Sequence, residues 1–277
     1  MDDCLAAGLI AERLIALGRQ VVSDDSTRMC VGLAKLAAAH PGGLGAGVLQ
    51  LMSESRGGRD LARQVLPEAT RGPLWFQLYM QADRGHTLAL VARAEAAGYE
   101  ALVLTVDAPV HGARDRERRA GFRLPPDVAA VNLAAAPTSA RGGELCGGLL
   151  ASAPSWDDVA WLRAQTKLPL VLKGVLHPDD ARLAHQHGAD AIVVSNHGGR
   201  TLDTALPTAW ALPRIADALG GAMPLLVDGG IRRGTDVLKA LALGARAVLV
   251  GRPIVFALAA EGPEGVARAL RLLRDEL

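Results

Sequence analysis

Six consecutive residues, Ser195-Asn196-His197-Gly198-Gly199-Arg200, set an imidazole and a guanidinium three positions apart. They follow Ala191-Ile192-Val193-Val194, a run that reads as a fully buried strand. The pair therefore falls just past a strand's carboxyl end. Two adjacent glycines let the backbone turn there and come close to a ligand. Imidazole takes up a proton readily near neutral pH. A planar guanidinium fork suits a carboxylate. A base beside a carboxylate-binding cation is what oxidation of a 2-hydroxy acid requires. The competing reading is a loop whose His197 and Arg200 are merely solvated, and the downstream chain weighs against it.

The elements that would carry these residues are legible from residue 73 onward. Short apolar runs cover Pro73–Tyr79, Ala101–Asp107, Leu168–Gly174, Ala189–Asn196, Met223–Gly229 and Ala245–Gly251. They alternate little, as parallel strands buried on both faces do. Helices are expected over about 84–98, 156–166, 178–188, 207–220 and 233–244. Pro178-Asp179-Asp180 and Gly234-Thr235-Asp236 suit helix starts. This repetition predicts an α/β fold with a parallel sheet, either closed as a barrel or open and doubly wound. Polar residues at nearly every strand end (Gln77 and Tyr79, Thr105 and Asp107, Lys173, Ser195 to Arg200, Asp228, Arg252) favour the barrel. In a TIM (β/α)8 barrel those ends converge on one face.

Two stretches stand apart. Residues 108–155 form a long insertion that starts with Arg114-Asp115-Arg116-Glu117-Arg118-Arg119 and continues rich in Gly, Ala and Pro. An insertion of this length reads as a functional lid or a mobile segment. Residues 1–72 carry no clear strand pattern, although a closed barrel needs its strands 1 and 2 there. The expected organisation is thus an atypical N-terminal segment, 1–72, followed by a barrel domain, 73–277, complete or lacking strands 1–2.

Composition narrows the class. The 277 residues are 50% hydrophobic and 21% charged, which suits one large globular domain. A net charge of +1 gives no electrostatic case for nucleic acid. Cys4, Cys30 and Cys146 are far apart, which argues against a disulfide framework or a zinc site and for a reducing compartment. No apolar run approaches the ~20 residues that span a bilayer. The acidic start, Met1-Asp2-Asp3, is the wrong sign for a secretory signal. A cytoplasmic protein without a metal or an integral membrane segment is expected.

Six motifs now stand in order: Pro73-Leu-Trp-Phe-Gln-Leu-Tyr79, Leu104-Thr-Val-Asp-Ala-Pro109, Leu172-Lys-Gly-Val175, Ser195–Arg200, Val227-Asp-Gly-Gly-Ile-Arg-Arg-Gly-Thr-Asp236 and Ala240–Arg252. Together they resemble the FMN-dependent 2-hydroxy-acid oxidases and dehydrogenases, which oxidise glycolate, lactate, mandelate or hydroxymandelate. The resemblance covers residues 73–277 and implies FMN as cofactor and a small 2-hydroxy acid as substrate. It implies His197 as the catalytic base, taking a proton as two electrons pass to flavin N5. Asp107 would orient that histidine and stabilise its protonated form. Arg200 would clamp the substrate carboxylate, Tyr79 would bond the developing carbonyl oxygen, and Arg114 would add a substrate contact from the lid. Lys173 would lie at the flavin N1/O2 edge, where a fixed cation stabilises the reduced ring. Gln77, Thr105 and Ser195 would contact the cofactor, and Asp228 its ribityl hydroxyls. Gly229, Gly230, Gly251, Arg232 and Arg252 would hold the phosphate, helped by the helix that starts at Pro253.

Some family features are missing. There is no tyrosine before Tyr79 and no Ala-Pro-rich flavin turn in residues 1–72, and Thr201 stands where the family has glutamine. Truncation, rearrangement or divergence of the first quarter would each explain this. The alternative function is therefore a non-catalytic remnant that binds flavin or phosphate. A related FMN barrel, the type 2 isopentenyl diphosphate isomerases, shares the phosphate loops but needs no His197–Arg200 pairing. The electron acceptor stays open among oxygen, a quinone and a protein. Family habit implies a homo-oligomer, tetramers included.

Overall fold

A computed structural model describes residues 75–109, 119–121 and 153–277. The N-terminal segment, most of the insertion and Arg114 lie outside the described residues. Within them, strands and helices alternate. β1 (Trp75–Leu78) leads to α1 (Arg84–Ala96), and β2 (Ala101–Thr105) precedes the insertion. α2 (Trp156–Gln165), β3 (Leu170–Val175), α3 (Pro178–Gln186) and β4 (Ala191–Val194) follow. A short 3₁₀ turn (His197–Gly199) leads into α4 (Thr208–Leu219) and β5 (Leu225–Val227). α5 (Gly234–Ala242), β6 (Ala247–Val248) and α6 (Arg252–Asp275) complete the chain.

Every strand pairing is parallel, and the sheet order is β1-β2-β3-β4-β5-β6. This order decides between the two architectures left open by the sequence. A doubly wound sheet reverses strand order at a switch point, where its ligand binds. Here each strand neighbours the next in sequence with no reversal, as in a barrel wall. The six described strands are part of such a wall.

Two apolar layers explain why the strands alternate so little. Leu102, Leu104, Leu170, Leu172, Ile192, Val194, Leu225 and Val227 face the helices. Val103, Val171, Ala191, Val193, Leu226, Ala247 and Leu249, with Trp75, form a second cluster on the other face. Side chains alternate across a strand. Continuing the second phase toward the strand ends reaches Gln77, Thr105, Asp107, Lys173, Ser195 and Asp228. The inner face is thus apolar along its length and polar at its carboxyl rim.

Local chemistry fixes the helices that frame this rim. Asp83 caps α1 by accepting from the Gly85 N–H at 2.7 Å. At α2, Ser155 Oγ accepts from Asp158 N, and Asp158 Oδ2 accepts from Ser155 N at 2.9 Å, a reciprocal capping box. Arg84 of α1 reaches Asp158 Oδ1 at 2.7 Å and lies over the Trp161 ring, tying α1 to α2. At α5, Asp236 Oδ2 accepts from the N–H groups of Arg232 and Arg233, each at 3.1 Å. Glu276 Oε2 accepts from Gly234 N at 2.9 Å, so the end of the chain closes over the same helix start.

Candidate active site

β4 delivers the histidine. Ser195 is fully buried just after it, and its Oγ accepts from His197 N at 3.0 Å. His197 has φ +55°, and Gly198 and Gly199 have φ +63° and +74°. Arg200 N donates to His197 O at 3.2 Å and closes the turn. Two successive left-handed residues make a mirror-image turn that glycine adopts cheaply. A left-handed histidine costs about 1–2 kcal/mol, so the surrounding contacts hold it there. One such contact comes from the start of α6, where Arg252 Nη2 donates to Gly198 O at 2.8 Å.

β2 delivers its partner. Asp107 Oδ1 lies 2.8 Å from His197 Nδ1, and both side chains are only 9% exposed. A carboxylate acceptor places a proton on Nδ1, so in the neutral ring the lone pair lies on Nε2. In that form the ring can accept a proton at Nε2. Asp107 can stabilise the imidazolium that results.

β1, β2, β3 and β5 supply a second polar group. Gln77 Nε2 donates to Thr105 Oγ1 at 2.9 Å. Thr105 is the register partner of Lys173, the last inward residue of β3. Lys173 Nζ lies 3.5 Å from Asp228 Oδ2, with the two side chains 11% and 15% exposed. Burial of an unpaired ammonium is costly, and this contact offsets part of that cost. Asp228 O accepts from Thr208 Oγ1 at 2.9 Å, which ties the rim to α4.

Gly229 and Gly230 follow with φ +82° and +83°. A Cβ on Gly230 would meet open space, whereas one on Gly229 would approach Asn196 Oδ1 at 3.1 Å. Arg232 and Arg252 are exposed beside these loops. Tyr79 follows β1 directly and is half-buried, as is Arg200.

The sequence-expected residues thus gather into two linked groups. Asp107, Ser195, His197 and Arg252 form one, and Gln77, Thr105, Lys173 and Asp228 the other. They join at Gly174, whose backbone touches Asp107 directly after Lys173. Gly174, Asn196 and Thr208 had no assigned role in the sequence. A glycine inside an apolar strand was the available signal for Gly174. Asn196 Nδ2 donates to Leu206 O at 3.2 Å, which no short motif announces. Among the described residues no His, Cys, Asp and Glu group could hold a metal ion. No helix among them is long and apolar enough to cross a membrane.

A family model for FMN-dependent dehydrogenases matches residues 37–277. The chain belongs to the FMN-dependent dehydrogenase family. The match reaches well upstream of Pro73, into the segment whose patterns are unclear. An L-lactate oxidase of Nostoc sp. is 52% identical over 211 residues, covering 73% of this chain and 58% of that protein. The 4-hydroxymandelate oxidase of Amycolatopsis orientalis is 50% identical over 218 residues, covering 76% and 60%. Glycolate oxidase of Spinacia oleracea is 46% identical over 217 residues, covering 75% and 59%. A mandelate oxidase structure with (S)-2-phenylpropionate superimposes with a TM-score of 0.69 at 43% identity, covering 93% of this chain and 70% of that one. The chain spans less than two thirds of the length of the three sequence relatives.

The rim fits the cofactor of an FMN-dependent dehydrogenase. Asp228 Oδ1 is buried with no hydrogen-bond partner among the described residues, an acceptor suited to a sugar-alcohol hydroxyl. Lys173 presents a buried positive charge beside it. Glycine loops and two exposed arginines follow, a set that could hold a phosphate.

Proposed function

We propose that this chain oxidises a small 2-hydroxy acid to the 2-oxo acid with FMN as electron acceptor. The buried Asp107–His197 pair at the strand rim carries the reading. FMN, when bound, supplies the two-electron sink. His197 Nε2 takes a proton from the substrate while Asp107 keeps Nδ1–H and balances the new charge. Arg200 grips the substrate carboxylate, and Arg114 adds a second contact. Tyr79 bonds the oxygen that becomes the carbonyl. Lys173, Gln77, Thr105 and Ser195 hold the flavin ring, and Asp228 the ribityl chain. Gly229, Gly230, Gly251, Arg232 and Arg252 hold the phosphate. Residues 73–277 make up the barrel domain, with the lid assigned to 108–155 and residues 1–72 as the atypical segment where strands 1 and 2 are expected. Relatives named as oxidases support oxygen as the final acceptor. Three cysteines far apart in sequence support a reducing, cytoplasmic compartment.

The test is anaerobic addition of lactate, glycolate or mandelate to the FMN-loaded protein and to His197→Ala. Wild type is expected to bleach with at least one acid. The variant is expected to retain FMN but bleach slower by roughly 10²–10⁴-fold, the range for loss of a positioned base. Equal rates would remove His197 from the base role.

A further inference from the structure

Along β3, Lys173 pairs with Val193 and Val175 with Val194, leaving Gly174 as the extra residue of a β-bulge. Val171 belongs to the inner cluster, and Lys173 shares its phase. Without a bulge Val175 would point inward as well. It lies instead in the helix-side core at 3% exposure. The bulge therefore reverses the strand's phase immediately after Lys173.

Asp107 packs where the reversal leaves the strand bare. A Cβ on Gly174 would lie 2.5 Å from Asp107 Cβ, 2.7 Å from its Cγ and 2.8 Å from its N. These separations are far inside van der Waals contact. Gly174 also has φ +115°, which side-chain-bearing residues rarely adopt. Val106 N donates to Lys173 O at 2.9 Å, so the end of β2 is anchored at the same point. From there Asp107 reaches His197 Nδ1.

We propose that Gly174 is a positioning residue: its bulge seats the Asp107 carboxylate against His197 while keeping Lys173 on the inner face. The inference rests on the oxidase reading for its kinetic consequence and on the backbone geometry for its structural one.

The test is a double-mutant cycle of Gly174→Ala and Asp107→Asn in the FMN-loaded protein. Anaerobic bleaching at saturating 2-hydroxy acid gives the rate, and steady-state turnover over a range of substrate concentrations gives KM. A low-field proton resonance reports the His197 Nδ1–Asp107 hydrogen bond. Gly174→Ala is expected to retain the flavin spectrum, lose the resonance, and slow bleaching about 100-fold with KM little changed. In the Asp107→Asn background the same change is expected to cost less than about threefold, because the pair it disturbs is already gone. Wild-type rate and resonance in Gly174→Ala, or an undiminished loss in the Asp107→Asn background, would overturn the proposal.

If Gly174→Ala yields no folded flavoprotein, adding Asp107→Gly is expected to restore part of the yield, since it removes both carbons that the new Cβ meets and leaves only the contact with the residue-107 N and the backbone strain. No restoration would also overturn it. A wild type that no 2-hydroxy acid bleaches sinks the oxidase reading instead, while the resonance and the yield still judge Gly174.

Discussion

His197 is held by its neighbours more than by its own preferences. Ser195 Oγ takes its N–H, Asp107 takes Nδ1–H, and Arg252 fixes the next carbonyl. These contacts offset the left-handed φ and aim the imidazole. Arg200 closes the same turn, so the proposed base and the proposed clamp are linked by one backbone hydrogen bond. Arg200→Lys keeps the charge but loses the planar fork. It is expected to raise KM and lower kcat/KM by about 10- to 100-fold, the cost of a lost charged hydrogen bond. Steady-state kinetics on the best substrate would check this, and unchanged kcat/KM would contradict the clamp. At this scale the sequence was partly legible. The His197–Arg200 spacing declared itself, but Asp107 lies 90 positions from its partner. Only the ordered family motifs suggested that pairing. The Arg252 bond to Gly198 O was illegible because a loop carbonyl leaves no mark in the pattern.

At the scale of elements, every expected strand run from residue 73 onward coincides with a strand, β3 reaching one residue past its run, and each expected helix is found within about two residues of its bounds. Asp107, Ser195 and Asp228 lie just past the ladder, whereas Gln77, Thr105 and Lys173 reach the rim from paired positions within it. Strand phase was hidden, since both faces are apolar, and so was the switch at Gly174. The capping box of α2 gives a prediction of its own. Hydrogen bonds from the Ser155 backbone and then from Arg84 hold the Asp158 carboxyl below its ordinary 3.8. A depressed folded value means that this group stabilises the fold above its unfolded pKa and loses that contribution as pH falls through the folded one. Asp158→Ala is expected to cost about 1 kcal/mol at neutral pH, as loss of a cap does. The gap from wild type should close below about pH 4, read from urea melts across that range. A gap that persists in acid would show that the carboxylate is not its source.

Across the whole molecule, alternation of strand and helix was enough to read a parallel α/β fold, and polar strand ends were enough to favour a barrel. The sequential strand order then removed the doubly wound alternative. Closure was not legible, because residues 1–72 lack the period of a strand. The family match from residue 37 supports barrel sequence within that segment. What unites the scales is convergence: residues from 77 to 252 reach one rim because six parallel strands end there.

A crystal structure of the FMN-loaded protein with a bound 2-hydroxy acid probes that convergence most directly. The expected result has Lys173 Nζ at the flavin N1/O2 edge, Asp228 on the ribityl chain, and His197 Nε2 and Arg200 on the same substrate molecule. Flavin bound elsewhere, or Lys173 and His197 too far apart to serve one flavin and its substrate, would contradict the account.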